Sequence, residues 1–372
     1  MACPFLEEPV DVEAQILRRA LRRERVIRAR LDILSGSKIL RGNLKISTDP
    51  AGWIKMTKTT LRSQHFLCER YRFSAQSIIY LNNILGPYIA HVTHHGHSLS
   101  SVHIICIALR FFANGSFLYN IGDAEHVSKA TVCRAVRNVT VALKRLLYSF
   151  VVFPGHRPTR FISEGFHKIA GFPGVIGCID GTHIPIIAPS VNEGDYVNRK
   201  SFHSINVQII CDAANIITNV EAKWPGSVHD SRIFRECTLS TKFGHGEFTG
   251  YLLGDRGYPC LPYLLTPYPE PEPGPQQRYN LAHCRTRARV EMTIGMLKAR
   301  FQCLQRLRVT PERACDIIVA CVILHNIATI RGEHCPSEPN ISSDPNHEHP
   351  DPPMDIQDGR AVRDTICHNH FL

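Results

Sequence analysis

Three features that would assign a chain to a membrane, to secretion or to a zinc-binding class are missing from this 372-residue sequence. It has no run of about 18 or more apolar residues, so no membrane-spanning helix is predicted. The first residues, MACPFLEEP, lack the basic-then-apolar pattern of a signal peptide. The 14 cysteines are scattered and form no C-x-x-C pair, so no zinc or disulfide spacing emerges. Together these absences favour a globular protein in a reducing compartment.

Acidic residues are too few to balance the basic ones. The chain has 43 Lys and Arg against 33 Asp and Glu, a formal net charge of +10. Such a surplus favours a polyanionic partner, most simply nucleic acid. A basic protein without that partner would have the same composition, and charge alone does not separate the two interpretations.

Changes of pattern along the chain predict four regions. Residues 1–55 form a basic arm, in which seven arginines between Arg18 and Arg30 fit a phosphate-binding helix, a nuclear-import signal or a solvated helix face. Residues 56–150 are helical, and residues 151–332 alternate between strand-like and helical segments. Residues 333–372 form a Pro-rich tail that we expect to be largely disordered, although its end, GRAVRDTICHNHFL, is a candidate to dock back.

The end of the helical region has the pattern of a helix-turn-helix. A short helix and a Gly-Asp turn precede a second helix, for which Ser128 is a suitable N-cap and which has a regular apolar repeat. Arg134 and Arg137 lie on its opposite, basic face and are candidate DNA contacts. Helical bundles that never touch DNA show the same pattern, so this alternative stays open.

Carboxylates stand in apolar surroundings at four places. Asp180 interrupts the buried strand GVIGCIDGTHIPII, where a lone charge is costly unless it is paired, protonated or bound to a cation. Asp230 follows the third strand-like run, and Asp255 ends the fourth, YLLGD. Glu291 lies at the edge of the packing stripe of a long basic helix, residues 283–304. By contrast, His325 and Asn326 in the last apolar helix are interpreted as core polar residues.

The order of elements predicts the fold class. Three strands in a meander, a crossing segment, a fourth strand and a helix form an RNase H-like α/β domain, a mixed sheet flanked by helices, here preceded by an all-helical domain. This layout places a carboxylate of the first strand beside one at the end of the fourth, and a helix can supply a third. Clustered carboxylates favour Mg²⁺ or Mn²⁺. Two such ions, roughly 3.5–4 Å apart, would activate water and stabilise the leaving oxygen of a phosphodiester.

Each carboxylate also has a purely structural interpretation. Asp180 could cap an Asp-Gly turn, Asp230 could be a helix N-cap and Asp255 could be a turn residue. Glu291 could be the salt-bridge partner of Arg287, four residues earlier. Taken as a set in this strand order, the four residues favour a metal site.

Several long segments also carry a family resemblance. They occur in one order along the chain: GVIGCIDGTHIPI, YVNRKSFHSINVQIICDAANIITNVEAKWPGSVHDSRIF, LLGDRGYPCLPYLLTPY, RYNLAHCRTRARVEMTIGMLKARF and CVILHN. Together they resemble the PIF/Harbinger transposase family, strongly over residues 165–331 and more weakly from about residue 65. The resemblance implies that Asp180, Asp255 and Glu291 are the D/D/E catalytic carboxylates, that Asp230 is a further metal ligand, and that the cofactor is Mg²⁺ or Mn²⁺. One departure is Met292-Thr293-Ile294, where many relatives carry Arg and Phe after the Glu.

The resemblance extends to function and partners. It implies a DNA nuclease derived from a DDE transposase, or strand transfer if the chain is an active transposase, located in the nucleus and cytoplasm with a Myb/SANT-like DNA-binding companion protein. Arg256, Lys298 and Arg300 are expected to contact phosphate, and homo-oligomerisation stays open. The rival interpretation is a domesticated transposase that binds DNA or a partner protein without cutting.

Overall fold

The computed structural model describes residues 61–89, 99–334 and 357–372. The predicted basic arm, residues 1–55, lies outside the described residues, as does the Pro-rich part of the tail, residues 335–356. Residues 64–372 belong to one compact unit.

Short helices make up the first part of the described chain. They are α1 (Leu61–Tyr71), α2 (Ala75–Ile89), α3 (Ser101–Asn114), α4 (Leu118–Glu125), α5 (Lys129–Lys144) and α6 (Leu147–Phe150). Helix α3 is almost wholly buried, as its apolar sequence predicts, and the hydroxyl of Ser100 accepts the N–H of His103 at its start. Ser128 caps the N-terminus of helix α5, and its hydroxyl accepts the N–H of Thr131 at 3.2 Å. The predicted N-cap is therefore confirmed.

A five-stranded mixed sheet forms the centre of the second part. Its strands are β1 (Val175–Pro185), β2 (Ser204–Cys211), β3 (Ile217–Pro225), β4 (Tyr251–Leu253) and β5 (Leu264–Leu265), in the order β3-β2-β1-β4-β5. The first three are antiparallel, whereas β4 pairs parallel to β1 and β5 parallel to β4. The predicted fold class is confirmed: a mixed sheet flanked by helices, consistent with an RNase H-like domain, after a helical N-terminal region.

Helices cover the sheet. They are α7 (Thr159–Ala170), α8 (Asp230–Arg235), α9 (Thr238–Gly244), α10 (Pro275–Arg300), α11 (Pro311–Ile330) and α12 (Gln357–His370). Helix α10 packs on β1 and β2, and α11 packs on β3 and on α5. Side chains of α8 and α9, such as Phe234 and Phe243, join Ile179 in a core cluster. Strand β1 therefore packs against α10, against α7 and, through the core cluster, against α8 and α9.

Helix α11 joins the two parts of the molecule. It is long and apolar enough to cross a bilayer, but 67% of its most apolar 18-residue stretch is buried inside the protein, as in a core helix. The side-chain oxygen of Asn326 accepts the N–H of Ile217, and its amide donates to the carbonyls of Ile217 and Phe150. This one side chain thus connects β3 with the end of α6, and it is a core polar residue as the sequence predicts.

Helix α12 packs against the start of α10 and the loop before it. The hydroxyl of Tyr268 donates to Asp364 at 2.6 Å, and Nε of Arg278 donates to the carbonyl of Phe371 at 2.8 Å. Gly359 lies so close to the backbone of Cys260 that a Cβ would be 2.3 Å from its carbonyl oxygen. The end of the chain therefore docks on the sheet domain.

Candidate metal centre

Asp180 lies in the middle of β1, not in a turn. The strand continues to Pro185, and Asp180 is paired with Ile209 of β2, so its interpretation as the cap of an Asp-Gly turn is wrong. One carboxylate oxygen accepts the N–H of Gly181 at 2.9 Å, and the other lies 3.5 Å from the guanidinium of Arg287. The side chain is only 18% exposed. Asp180 is therefore a largely buried carboxylate with one backbone donor and one distant cation.

Asp230 lies against β1 at Gly181, the residue after Asp180. It is the first residue of α8, and the N-cap is His229, so its interpretation as an N-cap is wrong. Its Oδ1 accepts from the amide of Asn206 at 2.8 Å, and the same amide also donates to the carbonyl of Val228. A Cβ at position 181 would lie 2.5 Å from both carboxylate oxygens of Asp230. Glycine at 181 is thus what lets the Asp230 carboxylate approach the strand that carries Asp180.

Asp255 reaches the same level of the sheet from β4. Leu253 pairs with Cys178 across the parallel β1–β4 ladder, so Asp255 and Asp180 both stand two residues beyond a paired position. Oδ1 of Asp255 accepts the N–H of Gly257 at 3.0 Å. The turn interpretation of Asp255 is therefore confirmed, and it is compatible with a place beside Asp180.

Glu291 is brought to the sheet by α10. The guanidinium of Arg287, one helical turn earlier, forms an ion pair with Glu291 while it also contacts Asp180. The salt-bridge interpretation of Glu291 is therefore confirmed. Its side chain is 37% exposed, which agrees with a position at the edge of the packed face. Thr293, in the segment that departs from relatives, is buried and donates to the carbonyl of Arg289.

The other three carboxylates influence the electrostatics of Asp180. Burial raises the pKa of Asp180 to about 8; the Arg287 cation opposes this rise, and the charges of Asp255, Asp230 and Glu291 add to it. A carboxyl group in this environment is stabilised by either a proton or a cation.

A lysine lies at the border of the cluster. Nζ of Lys298 donates to the carbonyl of His183 at 3.2 Å, and burial lowers the pKa of Lys298 to about 8 although Asp180 counteracts this. The pKa of His183 falls to about 4 through burial and through the nearby cations Lys298, Arg199 and Lys200. Positive side chains therefore surround the His183 end of β1.

The donor set fits a hard divalent cation. All four side chains offer carboxylate oxygens, which Mg²⁺ and Mn²⁺ prefer, and their mutual repulsion is what such an ion relieves. Within the described ranges, however, no three His, Cys, Asp or Glu side chains already stand in a metal-binding group. The guanidinium of Arg287 contacts both Asp180 and Glu291. The residues therefore fit the metal in kind, while two of the four carboxylates are paired with an arginine.

The predicted phosphate contacts have different environments. Arg134 and Arg137 are exposed on α5, and Arg134 donates to the hydroxyl of Thr131. Arg256, next to Asp255, is half-buried and donates to the carbonyls of Tyr268 and Pro269 at 3.1 and 2.7 Å. Lys298, at the border of the cluster, is also half-buried.

The prediction for Arg300 is wrong. Its side chain is 1% exposed, and its guanidinium donates to the carbonyl of Glu333 at 3.1 Å. Arg300 lies on the buried face of α10, three residues after the buried Leu297. A side chain enclosed in this way cannot reach a DNA backbone.

Sequence reasoning missed two polar residues that organise the site. Asn206, which holds Asp230, is buried in the apolar run SINVQIIC. A polar residue inside such a run is the same signal that identified Asp180, so Asn206 could have been found. Arg199, whose guanidinium contacts the ring of His229 beside Asp230, has no such signal, because it comes from the loop between β1 and β2.

Comparisons with known proteins identify relatives of this chain. Residues 179–326 match the family model described as DDE superfamily endonuclease. "Putative nuclease HARBI1" of Rattus norvegicus is 36% identical over 320 residues, covering 83% of this chain and 91% of the rat protein. The Homo sapiens protein of the same name is 36% identical over 283 residues, 74% and 81% of the two chains.

A plant protein is a more distant relative. "Protein ALP1-like" of Arabidopsis thaliana is 26% identical over 303 residues, covering 76% of this chain and 71% of the plant protein. No solved structure matches the chain. The extent of the vertebrate matches, together with the DDE endonuclease model over the sheet, shows that this chain belongs to the Harbinger transposase-derived family of DDE superfamily endonucleases.

Proposed function

We propose that the protein is a Mg²⁺- or Mn²⁺-dependent DNA nuclease that hydrolyses phosphodiester bonds at the carboxylate cluster. The observation that carries this proposal is Asp180, a carboxylate buried in mid-strand whose pKa is raised by burial and by three further carboxylates. A fold does not retain such repulsion for stability, because separate or neutral residues would cost less. The membership in an endonuclease family supports the same conclusion.

In this proposal the carboxylates have distinct tasks. Asp180, Asp255 and Glu291 would hold the metal, and Asp230, oriented by Asn206, would assist as a further ligand. When bound, the divalent ions would lower the pKa of the attacking water and stabilise the leaving oxygen. Burial of Asp180 against β2 and α10 keeps bulk water away from one side of the cluster, which strengthens its interaction with any cation.

Basic side chains near the cluster would bind the DNA backbone. Lys298 lies near Asp180, and Arg256 follows Asp255 in the sequence. Arg199 is exposed beside His229. Arg134 and Arg137 present a second basic face on α5, for which DNA contact is also a proposal. Contacts of this kind position a duplex without reading its sequence.

Recognition of a particular DNA sequence would then come from another protein. On the strength of the family resemblance, we propose a Myb/SANT-like companion protein for that task and residence in the nucleus and cytoplasm. A binding-only protein is the second candidate, and the observation that favours it is the ion pairing of Arg287 with both Asp180 and Glu291.

A cleavage assay separates the two candidates. Wild type and Asp180→Asn would be incubated with plasmid and short duplex DNA in Mg²⁺ or Mn²⁺, with and without the companion protein. Asp358→Asn, which neutralises an exposed carboxylate on α12, serves as the matched control. We expect cleavage by wild type and the control and none by Asp180→Asn. Retained DNA binding without cleavage by wild type in every condition would establish the binding-only candidate.

A further inference from the structure

Arg287 lies where the charges of the carboxylate cluster converge. Its guanidinium forms an ion pair with Glu291 one turn along α10, and its Nη1 lies 3.5 Å from Oδ2 of Asp180 on β1. The side chain is 19% exposed, so this contact is formed mostly out of water. Although burial opposes it, the pKa of Arg287 is raised by Asp180, Glu291 and Asp255, which shows that three carboxylates stabilise this cation.

No other cation of the described residues forms an ion pair with Asp180 or Glu291. Lys298 is also close enough for Asp180 to act on its pKa, but its ammonium donates to the carbonyl of His183 instead. A buried carboxylate that loses its counterion is strongly destabilising. Among the described residues, Arg287 is therefore the cation that pairs with Asp180 and Glu291 when metal is not bound.

We propose that Arg287 is the internal counterion of the metal-free cluster and that a divalent metal ion must displace it from Asp180 and Glu291 in order to bind. This inference rests on the proposed function, since it concerns the same carboxylates. The guanidinium and the metal would use the same acceptors, Oδ2 of Asp180 and Oε1 of Glu291. Two cations at one pair of oxygens repel each other, so occupancy by one opposes occupancy by the other.

Competition predicts an effect opposite to that of an ordinary structural arginine. Removing a residue that merely positions the ligands would weaken metal binding, whereas removing a competitor strengthens it. The test is a calorimetric titration of the full chain with Mn²⁺, comparing wild type with Arg287→Met and Arg287→Lys. Arg285→Met is the matched control, because Arg285 lies on the same helix but is exposed.

We expect Arg287→Met to bind Mn²⁺ at least about tenfold more tightly than wild type. Arg287→Lys, which keeps the charge, should remain close to wild type, and Arg285→Met should equal it. Thermal melts give a readout that needs no catalysis. In EDTA, Arg287→Met should melt below wild type, and saturating Mn²⁺ should raise its Tm by more than that of wild type. If Arg287→Met does not fold in EDTA, Arg287→Gln replaces it in both measurements.

The outcomes separate this inference from the proposed function. Equal or weaker Mn²⁺ binding by Arg287→Met, with wild type still binding metal and cutting DNA, overturns the counterion role alone. Binding by Arg287→Met but not by wild type supports the counterion role and places a metal-dependent activity of wild type in question. Absence of Mn²⁺ binding in both proteins overturns the proposed metal nuclease and the displacement with it.

Discussion

Asp180 in β1 and Asn326 in α11 are both polar residues buried in apolar elements, but their hydrogen-bond partners and neighbouring charges differ. Asn326 is neutral and makes three hydrogen bonds of 2.7–2.9 Å, all to backbone groups. Asp180 is ionisable, and it has one backbone donor, one guanidinium at 3.5 Å and three carboxylates that raise its pKa. A buried polar group satisfied by the backbone is structural. One that is satisfied only in part, and surrounded by like charge, indicates a site that takes a ligand.

The largest effect on stability is expected at the satisfied residue. Asn326→Leu would leave the N–H and C=O of Ile217 and the carbonyl of Phe150 without partners in the interior. We expect unfolding free energy to fall by about 3 kcal/mol or more. Urea denaturation of the metal-free protein measures this, with Asp180→Asn in comparison. Asp180→Asn removes a carboxyl group that the neighbouring carboxylates repel. The stability of this variant should therefore equal or exceed that of wild type. A large loss in Asp180→Asn would contradict the distinction.

Gly181→Ala tests the approach of Asp230 to β1. The new methyl group would lie 2.5 Å from the Asp230 carboxylate, which therefore has to move. We expect Mn²⁺ affinity to fall about a hundredfold. Gly244→Ala is the control, because nothing lies within 4 Å of its Cβ position at the end of α9. Mn²⁺ affinity in Gly181→Ala equal to that of the control would show that Asp230 does not serve the site.

The pH dependence of stability tests the electrostatics directly. The pKa of Asp180 is about 8 in the folded protein against an ordinary value of 3.8. Because the folded state then binds more protons than the unfolded one, metal-free stability should fall as pH rises between these values. Between pH 6 and 8 we expect a loss of about 2 kcal/mol in EDTA. Asp180→Asn should lack this slope, and an equal slope in both proteins would assign it to other groups.

The smallest effect, on Mn²⁺ affinity, is expected at Asn206, which orients Asp230. Asn206→Leu removes the amide that donates to Asp230 and to the carbonyl of Val228. We expect about tenfold weaker Mn²⁺ binding, the usual range for residues that orient a ligand. Cleavage at saturating Mn²⁺ should recover. Failure to recover would mean that Asn206 acts on something other than metal affinity.

The strand-like runs of β1 to β4 were accessible from sequence because they depend on local patterns, whereas the place of β4 beside β1 came from the RNase H-like layout and the two-residue β5 was not predicted. The apolar runs of β1 to β4 define the sheet, and the sheet determines which residues stand beside Asp180. Ion pairs such as Asp180–Arg287 join residues 107 positions apart, and no pattern along the chain encodes them. The alternatives for Asp255 and Glu291 proved to be compatible with a site, since a turn residue or an ion-pair partner keeps its carboxylate near Asp180.

The error at Arg300 has a definite cause. The basic type of Arg300 predicts a contact with phosphate. The buried face of α10 in fact includes Thr286, Thr293 and Arg300, so polar residues share it with apolar ones. Arg300 follows the buried Leu297 by three residues, so periodicity places it on that face and outweighs residue type. One acceptor of its guanidinium, the carbonyl of Glu333, comes from beyond α11.

The bridge formed by Asn326 has a geometric consequence for the proposed nuclease. Helix α11 packs on α5 and on β3, and one amide ties the end of α6 to that strand. If α5 holds a duplex while the carboxylates cut it, the DNA-binding helix and the cleavage site belong to one compact unit, within which Asn326 bonds to both parts. The number of base pairs between the bound stretch and the broken bond would then be constant, and cleavage products would end at one defined distance from it.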